Sequence, residues 1–97
     1  MTEQFTPWDS VEYLQTDEDI AVYLDACFEE AGADAGFIIR ALETVARAKG
    51  VDAVAERAGL APAQLRDLLA ADSNTPFGEV LRIFAALGIR LHADKAA

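Results

Sequence analysis

Apolar residues recur along this chain at the three- and four-residue spacing of helix faces, and glycines interrupt them at intervals. Ile20, Tyr23, Leu24, Cys27 and Phe28 fall at i, i+3, i+4, i+7 and i+8, the stripe of an amphipathic helix. Thr16, with Asp19 three residues later, predicts the start of that helix as an Asp version of the capping box, and Gly32 predicts its end. Asp34 predicts the cap of a second helix running to about Lys49. Phe37, Ile38, Leu42, Val45 and Ala46 face inward from it and Gly50 closes it. Farther on, Thr75 reads as the N-cap of a last helix with Pro76 in its first turn. Phe77, Val80, Leu81, Phe84 and Leu87 form the expected buried face of this helix, and Gly88 ends it. Ile89 to Ala93 alternates apolar and polar residues, which predicts one short strand paired with residues 11–14 or with a second copy of itself.

Residues 50–69, GVDAVAERAGLAPAQLRDLL, carry the most specific pattern. A short helix with Val54, Ala55 and Ala58 on its apolar face stops at Gly59, which supplies a left-handed turn. Leu60 plugs the corner, and Pro62 opens a second helix that buries Leu65, Leu68 and Leu69. That is the plan of a helix-turn-helix, whose second helix projects toward a DNA groove. The expected organisation is an N-terminal arm over residues 1–15 and a helical domain over 16–97, with the helix-turn-helix at 51–70. The fold class is all-α, a bundle of five helices with a short C-terminal strand.

Ninety-seven residues, 53% of them apolar and 26% charged, suit one small globular domain and are too apolar for a disordered chain. One cysteine permits no internal disulfide and points to a reducing compartment. The first residues hold neither a basic region nor an apolar core, so no secretion signal is read there, and no apolar run approaches the roughly 20 residues of a membrane helix. A bacterial cytoplasm is the expected location. Charge changes the picture more. Residues 1–34 hold ten acids and no Lys or Arg, whereas residues 35–97 hold seven acids and all eight basic residues, a net +1. An acidic leading third joined to a near-neutral body turns away nucleic acid at one end and attracts basic proteins there.

Catalytic chemistry finds no footing in the pattern. His92 is the one histidine and has no partner at metal-ligand spacing. Asp17, Glu18 and Asp19 lack the alternating oxygens and central glycine of a calcium loop, and Asp34-Ala35-Gly36 lacks the lysine and further glycines of a phosphate loop. Ser10 and Ser73 lie in loops with no base nearby, and Cys27 sits inside an apolar stripe, the position of a buried thiol. The expectation is a protein that is not an enzyme, with no cofactor, no metal and no small-molecule substrate.

The order of short motifs is more specific than any one of them. W-D-x-x-x-Y-L (Trp8, Asp9, Tyr13, Leu14) precedes E-D-I-A-x-Y-L (Glu18 to Leu24) and I-x-R-A-L-x-x-V-A-R-A-K-G (Ile38 to Gly50). A-E-R-A-G-L (Ala55 to Leu60), N-x-P-F (Asn74 to Phe77) and V-L-R-I-F-A-A-L-G-I-R-L (Val80 to Leu91) follow. Over nearly its whole length the chain resembles the addiction-module antidote proteins, which are similar to the small helical repressors of the lambda Cro type. The resemblance implies the antitoxin half of a type II toxin–antitoxin pair, with a small basic toxin of the RelE/ParE type. It also implies repression of the shared operon by a dimer on operator DNA.

Family members typically begin the recognition helix S-R-E-x-L-Y-K-A-L, where this chain has Ala61 to Leu69. Leu65 and Leu69 persist, the hydroxyl cap and first arginine are absent, and Asp67 replaces a basic residue. Asp52 stands where a small hydroxyl residue is usual, and a carboxylate there repels phosphate. Gln64, Arg66, Arg57, Lys49 and Thr75 are the candidates for DNA contact. Gln64 can read adenine bidentately, and Arg66 can read guanine or bind phosphate. Trp8, Tyr13, Glu18 and Tyr23 are the candidates for toxin contact. A protein-only interaction module on the same scaffold, without DNA affinity, is the alternative.

Overall fold

Thr16 and Asp19 cap one another at the head of the first long helix, α1 (Asp17–Ala31). The Thr16 hydroxyl accepts from the Asp19 N–H at 3.0 Å, and the Asp19 carboxylate accepts from the N–H groups of Thr16 and Gln15, each at 3.1 Å. Donors that a helix start would leave unpaired thus find acceptors. The computed structural model describes residues 11–71 and 74–95. A single 3-10 turn, Val11–Tyr13, leads into α1 and packs on α2 (Ala35–Lys49). The Asp34 carboxylate accepts from the Phe37 N–H at 3.1 Å to start α2, as its position predicts.

After Gly50 the chain turns at once into α3 (Val51–Ala58), a three-residue turn, and α4 (Pro62–Ala70). Gly59 ends α3 at φ 73°, a left-handed conformation that L side chains resist. The Gly59 and Leu60 N–H groups fold back to the Glu56 and Ala55 carbonyls at 3.1 and 2.9 Å, which satisfies acceptors at the helix end and points the chain into α4. The same device ends α5 (Phe77–Ala86). Gly88 has φ 76°, and the Gly88 and Ile89 N–H groups return to the Ala85 and Phe84 carbonyls, each at 3.0 Å.

That second turn overrides the expected strand. Ile89 is carried back against the core, and no strand occurs among the described residues. Alternation is a local signal, whereas a strand needs a neighbour to complete its ladder. Residues 89–95 pair with no strand among the described residues, so the C-terminal strand is corrected to coil.

α2 packs against α1, α3 and α4, and α3 in turn packs on α4 and α5. The core combines Ile20, Leu24 and Cys27 of α1, Leu42 and Val45 of α2, and Val54 and Ala55 of α3 with Leu65, Leu69, Ile83, Phe84 and Leu87. Leu14, just after the 3-10 turn, joins them at 5% exposure. The expected inner face of α5 needs a correction. Ile83 is fully buried beside Phe84 and Leu87, while Phe77 is 70% and Leu81 43% exposed. The helix start also shifts by one residue. Pro76 stands at the N-cap, and the Thr75 hydroxyl instead donates to the Leu68 carbonyl at 2.6 Å, tying the loop to the end of α4.

Among the described residues the architecture is therefore all-helical, with five α-helices. None of them is long and apolar enough to cross a membrane.

Candidate nucleic-acid interface

Leu65 and Leu69 root α4 in the core, which leaves Ala63, Gln64, Arg66, Asp67 and Ala70 on its exposed side. Leu60 sits half-buried against the core at the corner. A helix held by one face and bare on the other is the geometry that groove entry requires. Its chemistry is sparse: one guanidinium, one carboxamide and one carboxylate.

The five candidate residues are in different situations. Arg66 is exposed and makes no ion pair among the described residues, so its guanidinium is available to an acceptor. Gln64 is exposed, yet its Oε1 accepts from the Ala61 N–H at 2.9 Å. That bond is one half of a capping box, and Ala61 has no side-chain acceptor to supply the other half. Adenine recognition through both groups of the Gln64 amide requires that cap to open. Thr75 is half-buried with its hydroxyl donated to Leu68. Lys49 reaches across from the end of α2 to the start of α1, where its ammonium lies 2.8 Å from Asp17 Oδ1.

Asp17 therefore organises the cations of this side of the molecule. The hydrogen bond and charge of Lys49 hold its carboxyl below the ordinary carboxylate range, with a smaller contribution from the Arg57 guanidinium. Arg57 itself is exposed on α3. The structure thus gathers Lys49 and Arg57 about one acidic side chain. The pairing of Asp17 with Lys49, 32 residues apart, carries no sequence signal. Because the carboxyl value falls on folding, the link holds above the unfolded value and is lost only as pH drops through the lower folded one.

The candidate protein-binding residues also separate. Tyr13 is 58% exposed, and Glu18 is exposed at the first turn of α1. Tyr23 is 4% exposed and packs in the core, which removes its ring from the surface and corrects its expected place there. Trp8 lies outside the described residues. Asp25, Glu29 and Glu30 are exposed along α1. No group of three or more His, Cys, Asp or Glu is placed to hold a metal among the described residues.

One surface has no counterpart in the motif reading. The end of α1, the start of α2 and the outer side of α5 enclose an open groove of about 320 Å³, lined by apolar side chains that include Phe28, Ile38, Phe77, Phe84 and Leu91. Its signal in the sequence is that α5 is apolar nearly all round. Glu79 and Arg82 are its only charged residues, and they face each other at 3.5 Å.

Residues 4–95 match the family described as probable addiction module antidote protein. A curated relative, an uncharacterized protein of Haemophilus influenzae (strain ATCC 51907 / DSM 11121 / KW20 / Rd), is 29% identical over 96 residues, which span 99% of this chain and 97% of the relative. No solved structure matches the chain significantly.

Proposed function

The chain belongs to the family of probable addiction module antidote proteins, and we propose that it is the antitoxin of a type II toxin–antitoxin module. In this reading it neutralises a basic toxin of the RelE/ParE type by direct binding. As a homodimer it also represses its own operon, through α3 and α4 acting as a Cro-type helix-turn-helix. The observation that supports the reading is that the exposed acids and the unpaired Arg66 stand on different helices. Tyr13, Glu18, Asp25, Glu29 and Glu30 lie exposed on and before α1, while Arg66 stands on the bare side of α4. A basic toxin is steered to the first and kept from the second by the charges already in place. Gln64, Arg57, Lys49 and Thr75 are secondary contacts, each after releasing or sharing its present partner where it has one. Trp8 is the remaining toxin contact in this reading.

The opposite reading, a protein-only module, draws on Asp52 at the start of α3, Asp67 on α4 and the Lys49–Asp17 pair. Gel-shift titration against the gene's own upstream duplex at two salt concentrations, with and without the coexpressed basic protein of the adjacent reading frame, separates the two. Retardation that weakens steeply with salt is the expected result. Failure to shift under every condition overturns the repressor half. Failure of the basic protein to copurify, or to have its growth arrest relieved, overturns the antitoxin half.

The Asp17 pair makes a further expectation specific. Asp17→Asn frees Lys49 and removes a negative charge beside Arg57, so affinity for any duplex rises without a change in sequence preference. The slope of log affinity against log salt steepens by about 0.9 for each phosphate newly contacted. Fluorescence anisotropy on matched and scrambled duplexes measures both. An unchanged slope would remove Lys49 from the interface.

A further inference from the structure

We propose that Ala63 is a specificity-determining residue of α4 and that the base it selects is thymine. The side-chain methyl of Ala63 meets the C5-methyl group of thymine in the major groove. The assignment rests on the repressor reading and names the base that its recognition helix favours.

Two observations carry it. First, Ala63, Arg66, Asp67 and Ala70 stand at i, i+3, i+4 and i+7 of α4, and all four are exposed, so they share its bare side. In a helix-turn-helix the leading residues of the second helix meet the base edges. Ala63 is the member of the bare side nearest the start of α4, and its side chain offers a base neither donor nor acceptor. Second, the polar neighbour is committed elsewhere. Gln64 turns its Oε1 to the Ala61 N–H at 2.9 Å, which withdraws the acceptor that a bidentate grip on adenine requires. Pro62, on the other side of Ala63, has no polar side-chain group.

The leading outward position is therefore apolar, and base edges answer it unequally. In the major groove the thymine methyl is the one apolar group that the four bases present. Against guanine, adenine or cytosine, the Ala63 methyl covers a donor or acceptor and displaces its water without replacing the hydrogen bond. Arg66 sets the register. Its Cβ lies one turn from that of Ala63, about 5–6 Å away, and successive bases of a strand are about 3.4 Å apart. The thymine thus falls within two base pairs of the group that Arg66 engages.

Fluorescence anisotropy on the gene's own upstream duplex tests this, with thymidine in one sample and deoxyuridine in its place in the other. The exchange removes the C5-methyl groups and leaves every hydrogen-bonding group of the bases intact. Affinity of the wild type is expected to fall about 4-fold for each methyl covered, hence about 15-fold for a dimer on two half-sites. On a scrambled duplex the exchange is expected to matter by less than about 2-fold, because phosphate contacts carry that binding. Ala63→Gly removes the partner methyl and is expected to bring the ratio between the two upstream duplexes close to one. Should glycine unsettle the helix start, Ala63→Ser takes its place, since a hydroxyl against the methyl also lowers the ratio. Equal affinity of the wild type for both upstream duplexes overturns the assignment and leaves the repressor reading standing. A loss that persists in full in the folded variant, or that is as large on the scrambled duplex, overturns it too, because the methyl is then felt elsewhere. Absence of binding to either duplex removes the repressor reading and the assignment with it.

Discussion

Leu65→Ala is expected to lower the unfolding free energy by about 2–5 kcal/mol, the range for removing a fully buried leucine side chain and leaving a cavity. Leu65 has no exposed surface and lies where α4 meets the rest of the core. Folded domains of this size hold only about 5–15 kcal/mol in total, so the variant should lose a large share of it. Thermal denaturation followed by circular dichroism should show a midpoint lower by at least about 8 °C. α4 has nine residues, and isolated helices shorter than roughly 12–15 residues are marginal in water. Its position therefore depends on Leu65 and Leu69, and loosening that anchor should blur the outer face although no exposed residue has changed. Val22→Ala, on the exposed side of α1, is the control and should leave stability within about 0.5 kcal/mol. A midpoint shift for Leu65→Ala no larger than for Val22→Ala would contradict the assigned core.

The features legible in the sequence are those whose physics is local. Thr16 with Asp19, Asp34, the Gly59–Leu60 turn and Pro62 each act within a few residues, and each stands where the pattern predicts. The inner face of α5 was not legible in the same way. With apolar residues at positions 77, 80, 81, 83, 84, 85, 86 and 87, several stripes fit the helical period equally well. Burial picks out Ile83 and leaves Leu81 outside because of how α5 is set against α3, a tertiary contact that the local pattern does not specify. The strand failed for a related reason: alternation over Ile89 to Ala93 says which residues share a side and nothing about a neighbour to pair with.

At the candidate interface, exposure was legible and occupancy was not. The spacing of Leu65 and Leu69 sets Gln64 and Arg66 outward, as expected. The hydrogen bond from the Ala61 N–H to Gln64 could have been anticipated, since a glutamine three positions after the residue that opens a helix is placed to accept from that residue's N–H. The tie between Lys49 and Asp17 joins the end of one helix to the start of another and emerges only from packing. Tyr23 belongs to the same class as Ile83. An amphipathic ring on a helix stripe suits a core or a partner surface alike, and here α1 turns it inward.

Arg66→Ala is expected to weaken binding to the matched duplex by about 1–3 kcal/mol, roughly 5- to 150-fold, while Gln64→Ala changes it far less. The contrast follows from present occupancy. In the proposed complex Arg66 offers DNA five donors and has no internal partner to surrender, so its removal would delete a contact outright. Gln64 must first release the Ala61 N–H, and the cost of that release offsets what a base contact returns. Gln64→Ala should therefore appear chiefly as a modest loss of stability at the start of α4. Asp67, next in the chain and also exposed, fixes the sign of the complementary test. Asp67→Lys exchanges a repulsive charge for an attractive one near the phosphates, and should tighten binding to matched and scrambled duplexes alike while steepening the salt dependence. Anisotropy titrations of the three variants at several salt concentrations distinguish the effects. If Arg66→Ala binds as the wild type does and Asp67→Lys gains nothing, the bare side of α4 does not face DNA, and the helix pair serves as scaffold for the protein-binding surface of α1.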